Sequence, residues 1–439
     1  MLRQLNRRTA AMSDSSESSS RLISPGRSVG VLAASGWSAI SAVAVMAVAA
    51  RVLSTADYTQ LLVYYSALFG CFQVLTGIQN ESSRAVGAAA LTADASTDSR
   101  PARVATMALI LAGSGVVILL LLSPLWAPYV GVRALVVTVS AVVLVAYSCF
   151  LALVGALAGR HQWGTMTVLF FSEPTVRVVV VAAIAFSLPS LTSLQLALAL
   201  PALAWLVVTV ALRPARSVVL ARGDVSLRRL LSNGLLAMLA AGAAAVLING
   251  FPAIARAALG SETPGLAAIL LGVQLTRAPV MVPLGVFQSI AIAGFVANQR
   301  GRLAALAKPV VGVVVVGVVL AVAAALVGPW IMALIFGPNY VLAGWALGCL
   351  TFATVSVALL TLSGTATIAV GAHRAYLIGW VLGAGATVAL LFALPLVGVG
   401  KVIVAVLVGP LLGASVHLFA IRRTGLADDL VSQKGASCG

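Results

Sequence analysis

Twelve apolar stretches, each long enough to cross a bilayer, follow one another along this chain of 439 residues. They run near 28–50, 59–79, 103–123, 135–157, 165–187, 191–212, 231–251, 265–295, 307–328, 345–369, 375–397 and 402–420. A helix needs about 20 mainly apolar residues to span the hydrocarbon core. Only helices and closed barrels satisfy every backbone group in lipid, and no segment here alternates as a barrel strand does. The expected fold is all-α integral membrane: twelve transmembrane helices in two parallel-repeat six-helix bundles around a central cavity.

The charges agree with that reading. Only 9% of residues are charged, against about a quarter in soluble domains. The net charge of +16 would suggest nucleic acid in a soluble protein, but here its placement explains it. Of the 27 basic residues, 21 lie before the first span, in the even-numbered loops or after the last span. The odd-numbered loops hold four (Arg51, Arg133, Arg256 and Lys401), and Arg177 and Arg277 lie inside spans. The positive-inside rule then places both termini in the cytoplasm. The abundance of alanine, valine and arginine beside three lysines suggests a GC-rich bacterial genome, hence a bacterial plasma (inner) membrane. The basic loops set topology and meet anionic membrane lipids; no nucleic-acid partner is expected.

Residues 1–27 are Ser-rich and polar and read as a disordered cytoplasmic tail. The expected domains are an N-terminal six-helix bundle at 28–213, a cytoplasmic linker at 214–230, a C-terminal six-helix bundle at 231–420 and a tail at 421–439. Short matches relate the two bundles. Ala50-Arg51 and Ala255-Arg256 are 205 positions apart, and Trp126 and Trp330 are 204 apart. Gly159-Arg160-His161 corresponds to Gly371-Ala372-His373-Arg374. Six is an even number, so such repeats are parallel and place a path for substrate between them.

Ionisable groups inside a span cost about 2.5–3.5 kcal/mol each on insertion scales and need a partner, water or a function. Arg277 lies in Thr276-Arg277-Ala278-Pro279-Val280-Met281-Val282-Pro283. It is the candidate for holding an anionic group, most plausibly a phosphate, and Pro279 and Pro283 are candidate gating positions because each removes a backbone donor. The alternative is an arginine satisfied by backbone carbonyls. Glu173 and Arg177 are four apart on one helical face, as an internal ion pair would be. Glu173 is also the candidate for coupling to a proton or cation, which would free or occupy Arg177, itself a candidate for binding the substrate, as the carboxylate titrates. Arg84, at the end of the second span, is placed to receive headgroups at the cytoplasmic side or to anchor its helix. Gln73, Asn249, Gln274 and Gln288 are uncharged candidates for a sugar-binding cavity or for helix–helix hydrogen bonds.

There is no lysine-bearing phosphate loop, no HExxH and no cysteine–histidine array, so neither enzyme nor cofactor is expected.

Several segments carry a family resemblance. Ala50-Arg51-Val52-Leu53-Ser54-Thr55-Ala56-Asp57-Tyr58 resembles the "R-x-L-x-x-x-x-Y" segment of the polysaccharide (O-antigen-type) flippase family. Gly77 to Arg84 resembles the end of that family's second helix. Leu334-Ile335-Phe336-Gly337-Pro338-Asn339-Tyr340-Val341-Leu342-Ala343 resembles its "L-x-F-G-x-x-Y-x-x-A", and Gly155 to Arg160 resembles its exit from the fourth helix. The resemblance implies the fold of the multidrug/oligosaccharidyl-lipid/polysaccharide superfamily and a polyprenyl-linked saccharide as cargo. It also implies a polysaccharide polymerase or glycosyltransferases as partners. The peptidoglycan-precursor flippases of that superfamily carry arginines in their first two helices and two further helices, whereas here no charge stands between Arg27 and Arg51. The competing readings are a multidrug or cation antiporter on the same fold, a non-transporting subunit of a polysaccharide-synthesis complex, and an integral glycosyltransferase.

Overall fold

The computed structural model describes residues 25–91, 101–297, 302–369 and 372–436. Twelve long helices follow one another: α1 (Pro25–Val52), α2 (Thr55–Leu91), α3 (Val104–Leu121), α4 (Ala134–Gly159), α5 (Trp163–Ser187) and α6 (Leu191–Ala211). The second six are α7 (Leu227–Ile248), α8 (Leu266–Ala297), α9 (Arg302–Phe336), α10 (Gly344–Ala369), α11 (His373–Ala393) and α12 (Gly398–Ala436). Over their described residues, eleven are long and apolar enough to cross a membrane; in α8 the described apolar run is Leu266–Met281. The molecule is a multi-pass membrane protein. Twelve crossings return the chain to the side on which it starts, called the termini face below.

The first half pairs α2 with α4, α3 with α4, α1 with α5, and α6 with α4 and α5. The second half repeats each pair six helices on: α8 with α10, α9 with α10, α7 with α11, and α12 with α10 and α11. Side-chain hydrogen bonds join helices within the first half, Trp37 Nε1 of α1 to Thr175 Oγ1 of α5 at 2.9 Å and Tyr64 to Ser140 between α2 and α4 at 2.8 Å. Such bonds compensate polar groups that lipid cannot.

The two halves meet unequally. α2 packs along α7 over most of its length, while the repeat-related pair, α8 and α1, meets sparingly. The α2–α7 seam is close because glycines stand where it crosses. A Cβ on Gly77 would strike the backbone of Ala237 and Met238, and one on Gly70 would come within 3.3 Å of Gly250. Gly77→Val should therefore force the seam apart at a cost of about 1–3 kcal/mol or more. Thermal unfolding of the detergent-solubilised protein reads this directly; an unchanged midpoint would show that the seam has slack.

Helical bounds exceed the expected spans where polar residues continue a helix beyond its apolar run. α2 extends past 79 to Leu91, and α12 runs past 420 to Ala436. The sequence reading also missed three short helices, Ser123–Val130, Arg213–Val218 and Phe251–Leu259. The expected linker is not a free strap. Ala102 N donates to Val225 O at 3.1 Å, Gly223 N to Ala102 O at 2.8 Å and Val104 N to Ala221 O at 3.1 Å, which ties it to the first half. Of the expected N-terminal tail, residues 1–24 lie outside the described residues, and α1 already begins at Pro25.

Candidate functional site

α7 stops at Ile248 because Asn249 and Gly250 follow, and a second short helix starts at Phe251-Pro252. Asn249 N and Gly250 N both close on Ala245 O, at 3.1 and 2.7 Å, so the carbonyl of Ile248 at the end of α7 is left to seek a partner elsewhere. Arg277, the one charged residue of α8, is buried and fills that gap: its Nη1 donates to Ile248 O, and its guanidinium lies 5.1 Å from the centre of the Phe251 ring. Its Nη2 is buried with no hydrogen-bond partner, as is Nε2 of Gln274 one turn earlier. Asn249 Nδ2 donates to Gln73 Oε1 of α2 at 3.3 Å. Ser66 of α2 braces the break, donating to Asn249 O and accepting from Ala253 N at 3.3 Å. Gln73, Asn249 and Arg277 thus gather where α2 of one half meets α7 and α8 of the other. Of the two readings of Arg277, an anion holder or an arginine satisfied by backbone carbonyls, the contact present in the structure is of the second kind. Arg277 is 6% exposed, because the interrupted end of α7 offers a carbonyl within its reach. Pro279 is exposed and lines an apolar cavity of about 490 Å³ with Val43 of α1 and residues of α9 and α10. The side chains of Pro283 and Gln288 lie outside the described residues.

The second cluster is in the first half. Arg177 donates from Nε to Glu173 Oε1 at 2.9 Å and again from Nη2, with side-chain exposures of 2% and 14%. The guanidinium lies 4.6 Å from the centre of the Phe69 ring. Charge neutralisation plus a ring face makes this burial tolerable. Glu173 also lines a cavity of about 330 Å³ shared with Ser35 and Ser38 of α1 and Tyr147 of α4. An aromatic run borders it: Tyr65 on Phe69, Phe69 on Phe72, Phe72 on Tyr147 and Tyr147 on Phe150, with centroids 4.0–5.3 Å apart.

Arg84, read as a receiver of headgroups or an anchor for its helix, makes side-chain contacts of the anchoring kind. It bonds both oxygens of Glu81, at 2.8 and 2.7 Å, and both oxygens of Asp224 in the linker, at 3.0 and 3.2 Å. Asn233 of α7 donates to Glu81 Oε1 at 3.1 Å. The guanidinium is committed to a clamp between α2, the linker and α7 on the termini face. On the opposite face, Arg51 donates to Leu334 O and Ile335 O, at 2.5 and 3.1 Å, at the end of α9. Tyr58 sits edge-on to Tyr340 with centroids 4.7 Å apart. The "R-x-L-x-x-x-x-Y" segment of the first half therefore docks on the "L-x-F-G-x-x-Y" segment of the second. Gly337 (φ 105°) makes the turn that brings Tyr340 there.

Asp224, Ser66 and Tyr340 carry little local signal as partners, since each meets its counterpart only across the fold. The sequence reading also passed over His417. This residue is buried in α12, with Nδ1 3.0 Å from Ser363 Oγ and Nε2 donating to Tyr376 O at 3.1 Å.

The chain is 34% identical over 432 residues to the uncharacterized protein Rv3630 of Mycobacterium tuberculosis, a match covering 95% of this chain and 96% of that one. A second M. tuberculosis protein, Rv1510, is 35% identical over 389 residues, covering 86% and 88%. This chain belongs to their family. No protein-family model matches it. Among solved structures, the fold of this chain resembles a multidrug resistance MATE family transporter of the MOP superfamily in its inward-facing conformation. That match has a TM-score of 0.65 and 15% identity, covering 89% of this chain and 96% of that one. The outward-facing conformation of such a transporter gives a TM-score of 0.59 at 15% identity, with 93% and 98% covered. A MOP superfamily transporter from Pyrococcus furiosus, whose reverse polarity of binding pocket suggests a different function, gives 0.61 at 14% identity, with 90% and 94% covered. This chain thus has the fold of those transporters.

Proposed function

We propose that this protein is a flippase that moves a polyprenyl-(pyro)phosphate-linked saccharide from the inner to the outer leaflet of a bacterial plasma membrane by alternating access, with its termini cytoplasmic. The carrying observation is the half-satisfied guanidinium of Arg277, set beside Gln274 and near the Gln73–Asn249 pair where the two halves meet. A buried cation with a free donor is a site for an anion. Rocking of the halves would free Nη1 from Ile248 and offer both nitrogens to phosphate oxygens, with the amides left for sugar hydroxyls. Buried carboxylates that could attract a cationic substrate are already engaged: Glu173 by Arg177, and Glu81 by Arg84 and Asn233. A negative cell interior favours outward movement of about two negative charges by roughly 4–5 kcal/mol at about 100 mV, so no nucleotide hydrolysis is required. Polysaccharide polymerases or glycosyltransferases are the natural neighbours of such an activity.

The test is headgroup translocation in proteoliposomes made with polyprenyl-phosphate saccharide lipids. Saturable movement, faster with an inside-negative potential, is expected; none at any potential would remove the flippase reading. Glu173 would couple a proton or sodium ion to the cycle through its cavity. Glu173→Gln strands the buried Arg177 charge and should lower stability as well; in the protein that remains folded, potential-driven movement should persist while any response to an imposed proton or sodium gradient is lost. A response equal to the parent's would take Glu173 out of coupling.

A multidrug antiporter is the second reading, favoured by the aromatic run beside Glu173, which suits flat cationic molecules. Export of cationic dyes with no saccharide-lipid movement would select it.

A further inference from the structure

On the face opposite the termini, a cavity of about 410 Å³ opens where the halves are clasped by Arg51 and by Tyr58 on Tyr340. That volume falls within the about 300–1,000 Å³ usual for small-molecule sites. Thr55, Thr59 and Gln60 of α2 line one side, and Arg256, Glu262 and Asn339 of the second half line the other. The lining mixes hydroxyls, amides, a guanidinium and a carboxylate.

Arg256 occupies the repeat position of Arg51 but not its role. Arg51 spends its donors on the carbonyls that end α9. Nη1 of Arg256 is buried without a hydrogen-bond partner beside the cavity. Desolvation lowers the basicity of its guanidinium, as expected for a cation with too few partners. Glu262 accepts only from its neighbour Ser261, at 3.2 Å. The lining therefore offers unspent donors and unspent acceptors together.

That combination discriminates between ligands. A phosphate accepts hydrogen bonds and would meet the Glu262 carboxylate as a like charge. A sugar hydroxyl both donates and accepts, so a polyol ring can use Arg256, the amides and Glu262 at once.

We propose that this cavity is an exit site that holds the saccharide portion of the cargo on the outer face, apart from the Arg277 cluster. The proposal rests on the flippase reading for its cargo and for its orientation. Because the cavity is built by both halves across their clasp, movement of the halves would assemble and dismantle it, so the bound sugar would be released as the cycle proceeds.

The full chain in lipid nanodiscs tests it. Ser261→Cys, at the exposed mouth, reports occupancy through its rate of reaction with a membrane-impermeant maleimide, measured against the parent's own cysteines. One probe is the water-soluble saccharide released by mild acid from the polyprenyl-linked lipids of the cells that make the protein; the other is inorganic phosphate. Saturating saccharide should slow labelling at least about fivefold, and phosphate should not. Arg256→Gln or Asn339→Leu should each abolish that protection while the unprotected labelling rate stays as it was. No slowing by the saccharide, equal slowing by phosphate, or full protection in both variants would overturn the exit site. The two readings fail separately. Protection without translocation in proteoliposomes removes the flippase and keeps a saccharide site, whereas translocation without protection removes the exit site alone.

Discussion

Arg177→Met should sharply destabilise the protein, lowering its midpoint of thermal unfolding in detergent by several degrees. The methionine keeps most of the side-chain volume and removes the charge. Glu173 is then left with its carboxylate beside Tyr147 and no cation to neutralise it. Removing one partner of a buried ion pair costs about 3–5 kcal/mol, because the remaining charge is desolvated without compensation. Loss of the guanidinium from the Phe69 face adds to this. The double variant Glu173→Gln/Arg177→Met should regain most of the loss, because neither charge remains to be buried. If the single and double variants unfold together, the pair contributes little as a pair and the effect is one of packing. A single variant as stable as the parent would show that water reaches the carboxylate from the Glu173 cavity.

Arg277→Ala should abolish measurable transport while protein level and membrane insertion hold. The guanidinium is costly to bury, so its removal relieves a desolvation penalty even as it frees the Ile248 carbonyl. The loss would instead fall on cargo binding: two charge-assisted hydrogen bonds to a phosphate, at about 1.5–3 kcal/mol each, amount to about a hundredfold or more in rate. Arg277→Lys keeps the charge without the planar fork, so it should fall between the parent and the alanine variant. Translocation of a fluorescent polyprenyl-phosphate saccharide across proteoliposomes measures all three. An Arg277→Ala variant working at the parent's rate would leave the residue as a plug for the end of α7 and nothing more.

Arg277 also marks the limit of what could be read before folding. Its burial in a span, and the isolation of Glu173 with Arg177 at helical spacing, were legible because charge is rare in an apolar run and i to i+4 spacing fixes a shared face. The ion pair formed as that spacing implies. That backbone carbonyls could satisfy Arg277 was legible; which carbonyl does so was not. That carbonyl belongs to another helix, carries no side-chain signature and becomes available only because α7 breaks at Asn249. Arg84 shows the same limit. Its helical neighbour Glu81 could be read locally, but Asp224 lies 140 positions away, and that second carboxylate is what turns a boundary arginine into a clamp.

The sequence alone determined the number of spans, their apolar character and the six-plus-six repeat. Lipid solvates no backbone, so about 20 apolar residues can persist there only as a helix, and a duplicated order of helices is visible as duplicated text. Tertiary structure alone decided how the halves meet: a tight α2–α7 seam, a sparse α1–α8 seam, and clasps built from Arg51 on one face and Arg84 on the other. Those contacts join residues far apart in the chain, and their energy depends on distances and on carbonyl positions that hydropathy does not encode.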